Sequence, residues 1–180
     1  MEICVYGAAS EKIDSKFLEE GFKLGEEIAK RNHTLIFGGG DTGMMGAVVK
    51  GVIKNKGKSL GIAPEWMKNF EGLFPLCDEF IHTKTMDERK NLFLEKSDAF
   101  IISPGGIGTL DEFFEIFTLK KLKRHDKAIV IFNIHNYYDN MINMINEMVA
   151  EEFLPKDNLK LFEIMDNVED ILEYIENYDK

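Results

Sequence analysis

Apolar residues gather in short unbroken runs at residues 3–6, 34–37, 59–63, 79–82, 99–102 and 128–132, most of them carrying β-branched or aromatic members. Runs of that length and composition predict β-strands. Between them, at 16–31, 43–55, 86–96, 109–123 and 137–151, and again at 168–177, apolar positions recur three and four apart. That spacing predicts helices. Strands alternating with helices of this length need right-handed crossovers and parallel pairing, which gives an open α/β sheet covered by helices on both faces. Stretches such as AFII and AIVIF are continuous rather than alternating, as strands buried on both sides require. No repeat, low-complexity tract or linker breaks the pattern, so residues 1–180 are read as one domain.

Charge narrows the choice of ligand. A formal net charge of −10 argues against nucleic-acid polymers, which need a basic face to displace counterions. An anionic ligand must therefore be small and held by local donors. Cys4 and Cys77 lie in apolar surroundings without CxxC spacing, as reduced thiols of a cytoplasmic protein would. No basic leader opens the chain and no apolar run approaches the length of a membrane span, so the expected location is the cytoplasm, with no membrane partner. His33, His82, His125 and His135 are scattered without an HExxH pattern, and no metal site is expected.

In open α/β sheets ligands bind beyond the carboxyl ends of the strands, so the loops after the strands are where chemistry belongs. The first such loop, Gly7-Ala8-Ala9-Ser10, is small enough for a ligand to approach the backbone. The second reads FGGGDTGMMG, in which Gly38, Gly40 and Gly43 have GxGxxG spacing and Glu65 ends the next strand. It fits either a tight turn feeding a closely packed helix or a phosphate or ribose contact. The third, SPGGIGTLDEFFE at 103–115, follows the most hydrophobic strand. Its glycines at 105, 106 and 108 leave backbone N–H groups open to a ligand, and a helix beginning near Thr109 aims its positive end at the same place. GK[ST] is missing, so a mononucleotide or sugar phosphate fits better than a triphosphate with magnesium.

Glu112 has two explanations. Thr109-Leu110-Asp111-Glu112 matches a capping box, with Thr109 capping the helix and Glu112 reaching back to its amide. A phosphate at those amides would, however, repel first-turn carboxylates, and a helix that combines the two has another reason for them. In Thr83-Lys84-Thr85-Met86-Asp87-Glu88-Arg89-Lys90, two basic residues oppose the dipole of a helix start. Arg89 facing the crevice of Glu112 would suit a phosphate or a leaving base. Met44, Met45 and Met86 flank the loops as core filling or as the wall of an apolar base pocket. Phe113, Phe114 and Phe117 read as helix core or a subunit contact.

Pro104-Gly105-Gly106-Ile107-Gly108-Thr109-Leu110-Asp111-Glu112 resembles the PGGxGTxxE signature of the LONELY GUY family, the cytokinin riboside 5′-monophosphate phosphoribohydrolases. The likeness continues through Cys4-Val5-Tyr6-Gly7, Gly38-Gly39-Gly40, Gly43-Met44-Met45-Gly46, Arg89-Lys90, Ser97-Asp98-Ala99-Phe100 and Asn133 with Tyr137-Tyr138, and so covers most of the chain. It implies a Rossmann-like, homodimeric domain, without a cofactor, that hydrolyses the N-glycosidic bond of a nucleoside 5′-monophosphate to free base and ribose 5-phosphate. Arg89 and Glu112 would be its catalytic residues, and Gly105, Gly106, Ile107, Gly108 and Thr109 its phosphate loop. Gly39, Gly40, Met86, Lys90, Leu110, Asp111 and Thr118 would be further substrate contacts. Asp87 stands where the family often has histidine, and Leu119-Lys120-Lys121 replaces a tryptophan-containing run after Thr118. Both departures are expected near the base pocket and favour AMP over a prenylated adenine nucleotide. The same fold could serve as a nucleotide-binding or sensing module without turnover. An NAD oxidoreductase fits poorly, because the GxGxxG turn follows the second strand rather than the first. The family's older label, lysine decarboxylase, would require a lysine-bound pyridoxal phosphate for which no lysine here is placed.

Overall fold

The computed structural model describes residues 1–69 and 72–178. Each apolar run folds as a strand: β1 (Glu2–Tyr6), β2 (Thr34–Phe37), β3 (Lys58–Pro64), β4 (Glu79–Thr83), β5 (Ala99–Ile102) and β6 (Ala128–Phe132). A seventh, β7 (Glu163–Met165), escaped the sequence pattern. It is three residues at the sheet edge, partly exposed, and owes its conformation to pairing with β6 rather than to an apolar run. The strands are parallel throughout, in the order β4-β3-β2-β1-β5-β6-β7.

Among the described residues five α-helices lie between strands, α1 (Ser15–Lys30), α2 (Gly43–Lys54), α3 (Met86–Lys96), α4 (Ile107–Lys121) and α5 (Asp139–Ala150), and α6 (Val168–Glu176) follows β7. Because strand side chains alternate, β1 feeds two separate cores. Ile3 and Val5 pack with Leu24 and Ile28 of α1, Val48 and Val52 of α2, and Ile171 of α6. Cys4 and Tyr6 pack with Phe93 of α3, Phe113 and Phe117 of α4, and Ile145 of α5. The sheet is thus covered on both faces, as the continuous apolar runs require. Among the described residues no helix is long and apolar enough to cross a membrane.

α1 and α2 meet backbone to backbone. A Cβ on Gly25 would overlap the Val48 carbonyl oxygen, and one on Gly51 the Phe22 carbonyl oxygen, so these positions admit no larger residue without parting the helices. Sequential strands run outward from β1 to β4, and the chain then returns to the other side of β1, where Cys4 lies opposite Phe100. The order reverses between β1 and β5, which opens a crevice at the carboxyl ends of those strands.

Candidate active site

A cleft of about 560 Å³ occupies that crevice, within the usual range for small-molecule sites. Every strand end from β4 to β5 contributes. Gly7 to Ser10 follow β1, Met45 comes from the start of α2, Trp66 and Met67 follow β3, Met86 and Arg89 belong to α3, and Gly106, Gly108, Thr109 and Glu112 follow β5.

Arg89 and Glu112 are both buried, and Nη1 of the guanidinium lies 3.2 Å from Oε1 of the carboxylate. Nε of Arg89 donates to the Ile62 carbonyl at 3.1 Å, and the guanidinium sits 5.0 Å over the Phe93 ring. Gly38 backs it, since a Cβ there would strike Nη2. Three fixed partners hold an otherwise flexible side chain in one pose. Burial pushes the Glu112 carboxyl up to about 7 against the opposing pull of Arg89. Next to this pair, Lys90 reaches Asp111 and Glu115, each at 2.7 Å, and ties α3 to α4.

The start of α4 corrects the capping-box expectation. The helix begins at Ile107 with Gly106 as its cap and no side-chain capping bond, so Thr109 lies inside the first turn and Glu112 turns to Arg89 instead. The physical reason is that Ile107 and Gly108 already take up helical geometry behind the extended Gly106, so the helix starts three residues earlier than a cap at Thr109 would allow. The reciprocal cap occurs on α3: the Glu88 amide donates to Thr85 Oγ1 at 3.1 Å, and the Lys84 amide donates to Glu88 Oε2 at 2.7 Å. First-turn amides of α4 have no partner within the helix. They line an anion site in outline.

The carbonyl groups of this loop are held by hydrogen bonds. Tyr137 donates its hydroxyl to the Gly105 carbonyl and Tyr138 to the Ser103 carbonyl, each at 2.8 Å, and the Ala8 amide donates to the Pro104 carbonyl at 3.2 Å. The two tyrosines are presented by a turn in which His135 and Asn136 take left-handed φ of 53° and 59°. A Cβ on Gly105 would strike the Thr109 side chain, whereas one on Gly106 or Gly108 meets no protein atom within 4 Å. Gly108→Ala is therefore expected to stabilise the helix start by up to about 1 kcal/mol. Its affinity for inorganic phosphate should nevertheless fall about tenfold, the equivalent of one charge-assisted hydrogen bond. Thermal melts and calorimetric titration of the same variant check both halves.

Other expected contacts lie elsewhere. Gly39 has φ +83° and packs under Phe80, Gly40 bridges to Leu73, and neither lines the cleft. The loop after β2 is spent on packing: Gly43, at φ +62°, lies so close to the Ala8 carbonyl that a Cβ would collide with it. Lys90 and Asp111 neutralise each other outside the cleft wall. Ile107 is 83% exposed and Leu110 packs on the core. Thr118 sits exposed at the start of the fourth turn of α4. The two departures from the family pattern are also away from the cleft. Asp87 is exposed, and Lys120 is buried against the Lys127 carbonyl and the Tyr178 hydroxyl, each at 2.8 Å, so neither shapes a base pocket. Trp66 and Met67 are cleft residues the sequence reading passed over. Their signal was position alone: they follow a strand end, the rule already applied to the other loops. Among the described residues no lysine lines the cleft, and no three His, Cys, Asp or Glu side chains gather as a metal site.

Residues 45–175 match the family described as possible lysine decarboxylase. A cytokinin riboside 5′-monophosphate phosphoribohydrolase of Mycobacterium tuberculosis is 36% identical over 94% of this chain and 90% of its own length. The protein of that name from Arabidopsis thaliana, LOG3, is 31% identical over 98% of this chain and 82% of its own. Among solved structures, the molybdenum cofactor carrier protein of Chlamydomonas reinhardtii superimposes with a TM-score of 0.73 at 19% identity, covering 98% of each chain. The molybdenum cofactor binding protein of Rippkaea orientalis gives 0.71 at 23%, covering 97% of this chain and 93% of its own. At such identities these two show a shared fold.

Proposed function

The chain belongs to the LONELY GUY family, and from that premise we propose that it is a phosphoribohydrolase, cleaving the N-glycosidic bond of a purine nucleoside 5′-monophosphate of the AMP or cytokinin riboside type. The observation that carries the reading is the buried Arg89–Glu112 pair beside the free amides of α4 in one cleft. A module that only bound phosphate would gain from the glycines and the arginine. A buried carboxylate next to the bound anion would only weaken it, so turnover explains the acid better than sensing does.

The chemistry follows from charge. As the base leaves, the sugar takes on oxocarbenium character, which the Glu112 carboxylate stabilises while it orients or deprotonates water. The amides of residues 106–109 hold the 5′-phosphate, and Arg89, fixed by Ile62 and Phe93, balances charge on the phosphate or the departing base. The homodimer implied by the family resemblance belongs to the same proposal.

The test is incubation with a panel of nucleoside 5′-monophosphates, with released base and ribose 5-phosphate separated by chromatography. Base is expected from purine nucleotides; tight binding of every nucleotide with no base released would favour the sensing alternative. The pH profile adds a second check. Glu112 acts ionised, and its carboxyl is held at about 7. The rate constant kcat should therefore rise with pH below 7 and level off above it. A rate that falls through the same range would make Glu112 an acid that protonates the base.

A further inference from the structure

Resting on the phosphoribohydrolase reading, we infer that Trp66 is the platform on which the base stacks, so that purines are selected by their flat face rather than by hydrogen bonds to their edge. The cleft runs along the sheet edge, with the glycine loop at the end of β5 and Trp66 and Met67 at the end of β3. With β1 and β2 between them, the two ends are three strand spacings apart, about 14 Å. The buried Arg89–Glu112 pair bridges that interval, because Arg89 is anchored on the Ile62 carbonyl in β3 while Glu112 rises from the helix after β5. Phosphate at the glycines and the reacting bond at Glu112 leave the base at the Trp66 end.

The chemistry of that end is apolar. Trp66, Met67, Met86 and Met45 line it, and Trp66 keeps 46% of its surface exposed, area that a base in the cleft would bury. The polar side chains on the cleft wall are Ser10 after β1, Thr109 and Glu112 on α4, and Arg89, which is already held by three partners. Among the described residues, the side chains that line the cleft after β3, Trp66 and Met67, carry no amide, carboxylate or hydroxyl able to read a base edge, and Glu65 between them and the strand is not part of the cleft lining. A site of this kind accepts a substituted purine amine without losing a hydrogen bond and favours the larger π-face of a purine over a pyrimidine.

The chain has a single tryptophan, so its emission reports this contact directly. In Glu112→Gln protein, AMP is expected to quench the emission, and ribose 5-phosphate at equal occupancy to leave it nearly unchanged. In the active chain, Trp66→Ala should raise KM for AMP about tenfold, the scale of one lost base–aromatic stack. The ratio of kcat/KM for AMP over UMP should fall in the same variant, while Trp66→Phe keeps most of both. An unchanged KM and an unchanged AMP-to-UMP ratio in Trp66→Ala would overturn the assignment, as would equal quenching by ribose 5-phosphate. Quenching by AMP without base release by any variant would support the platform and defeat the hydrolase; base release with Trp66→Ala behaving as wild type would do the reverse.

Discussion

Glu112→Gln is expected to slow base release from AMP by about 10²- to 10⁴-fold, the range for removal of a general base, while the protein stays folded and still binds nucleotide. Stability should move the other way. Burial raises the Glu112 carboxyl from 4.5 to about 7, so between those values the folded chain keeps a proton that the unfolded chain has lost. Stability therefore falls as pH rises through that window, by about 3 kcal/mol in all. The amide has no such proton to lose. At pH 8 the variant should melt at or above the wild-type temperature, and at pH 5 the difference should close. Wild-type turnover by Glu112→Gln would remove the carboxylate from the chemistry. A variant less stable than wild type at pH 8 would instead show that the ionised pair is a net support of the fold.

Arg89→Ala has the second large effect and acts on both properties. Truncation leaves a buried carboxylate without its cation, a change that costs about 3–5 kcal/mol where such pairs have been broken. It also removes the guanidinium from the Phe93 face and from the Ile62 carbonyl. Base release should fall by about 10²- to 10³-fold, as for loss of one preorganised electrostatic partner. The stability loss should be largest above pH 7 and shrink toward pH 5, where Glu112 is protonated. The double variant Arg89→Ala/Glu112→Gln should regain much of the lost stability and none of the activity. Denaturant unfolding of all four chains at two pH values gives the coupling. Additive stability changes would mean that the 3.2 Å contact carries no energy of its own.

How far the sequence foretold these residues depended on the range of the forces involved. The α/β architecture was legible because burial on both faces writes itself into continuous runs such as AFII. β7 was not, since an edge strand of three half-exposed residues is made by its neighbour. Arg89 and Glu112 could be named from their loops, because helix starts at strand ends converge on one crevice. What could not be read was competition among local partners. A threonine-to-glutamate spacing fits a cap at both Thr85 and Thr109, and only the distance from Glu112 to Arg89 decides that the second is not used. Lys90 and Asp111 look like ligand contacts until each is seen to neutralise the other. Trp66 carried no motif, and its place in the cleft comes from where β3 ends.

The reversal of strand order beside β1 also sets a schedule for assembly during synthesis. The strands β1 to β4 can pair outward in the order in which they are made, but the other flank of β1 waits for β5, with Cys4 facing Phe100. A growing chain that has not passed the glycine loop holds half a sheet with its most central strand bare. The contact that closes the second flank of β1 is then the same one that creates the cleft, so no binding site exists before β5 has joined the sheet.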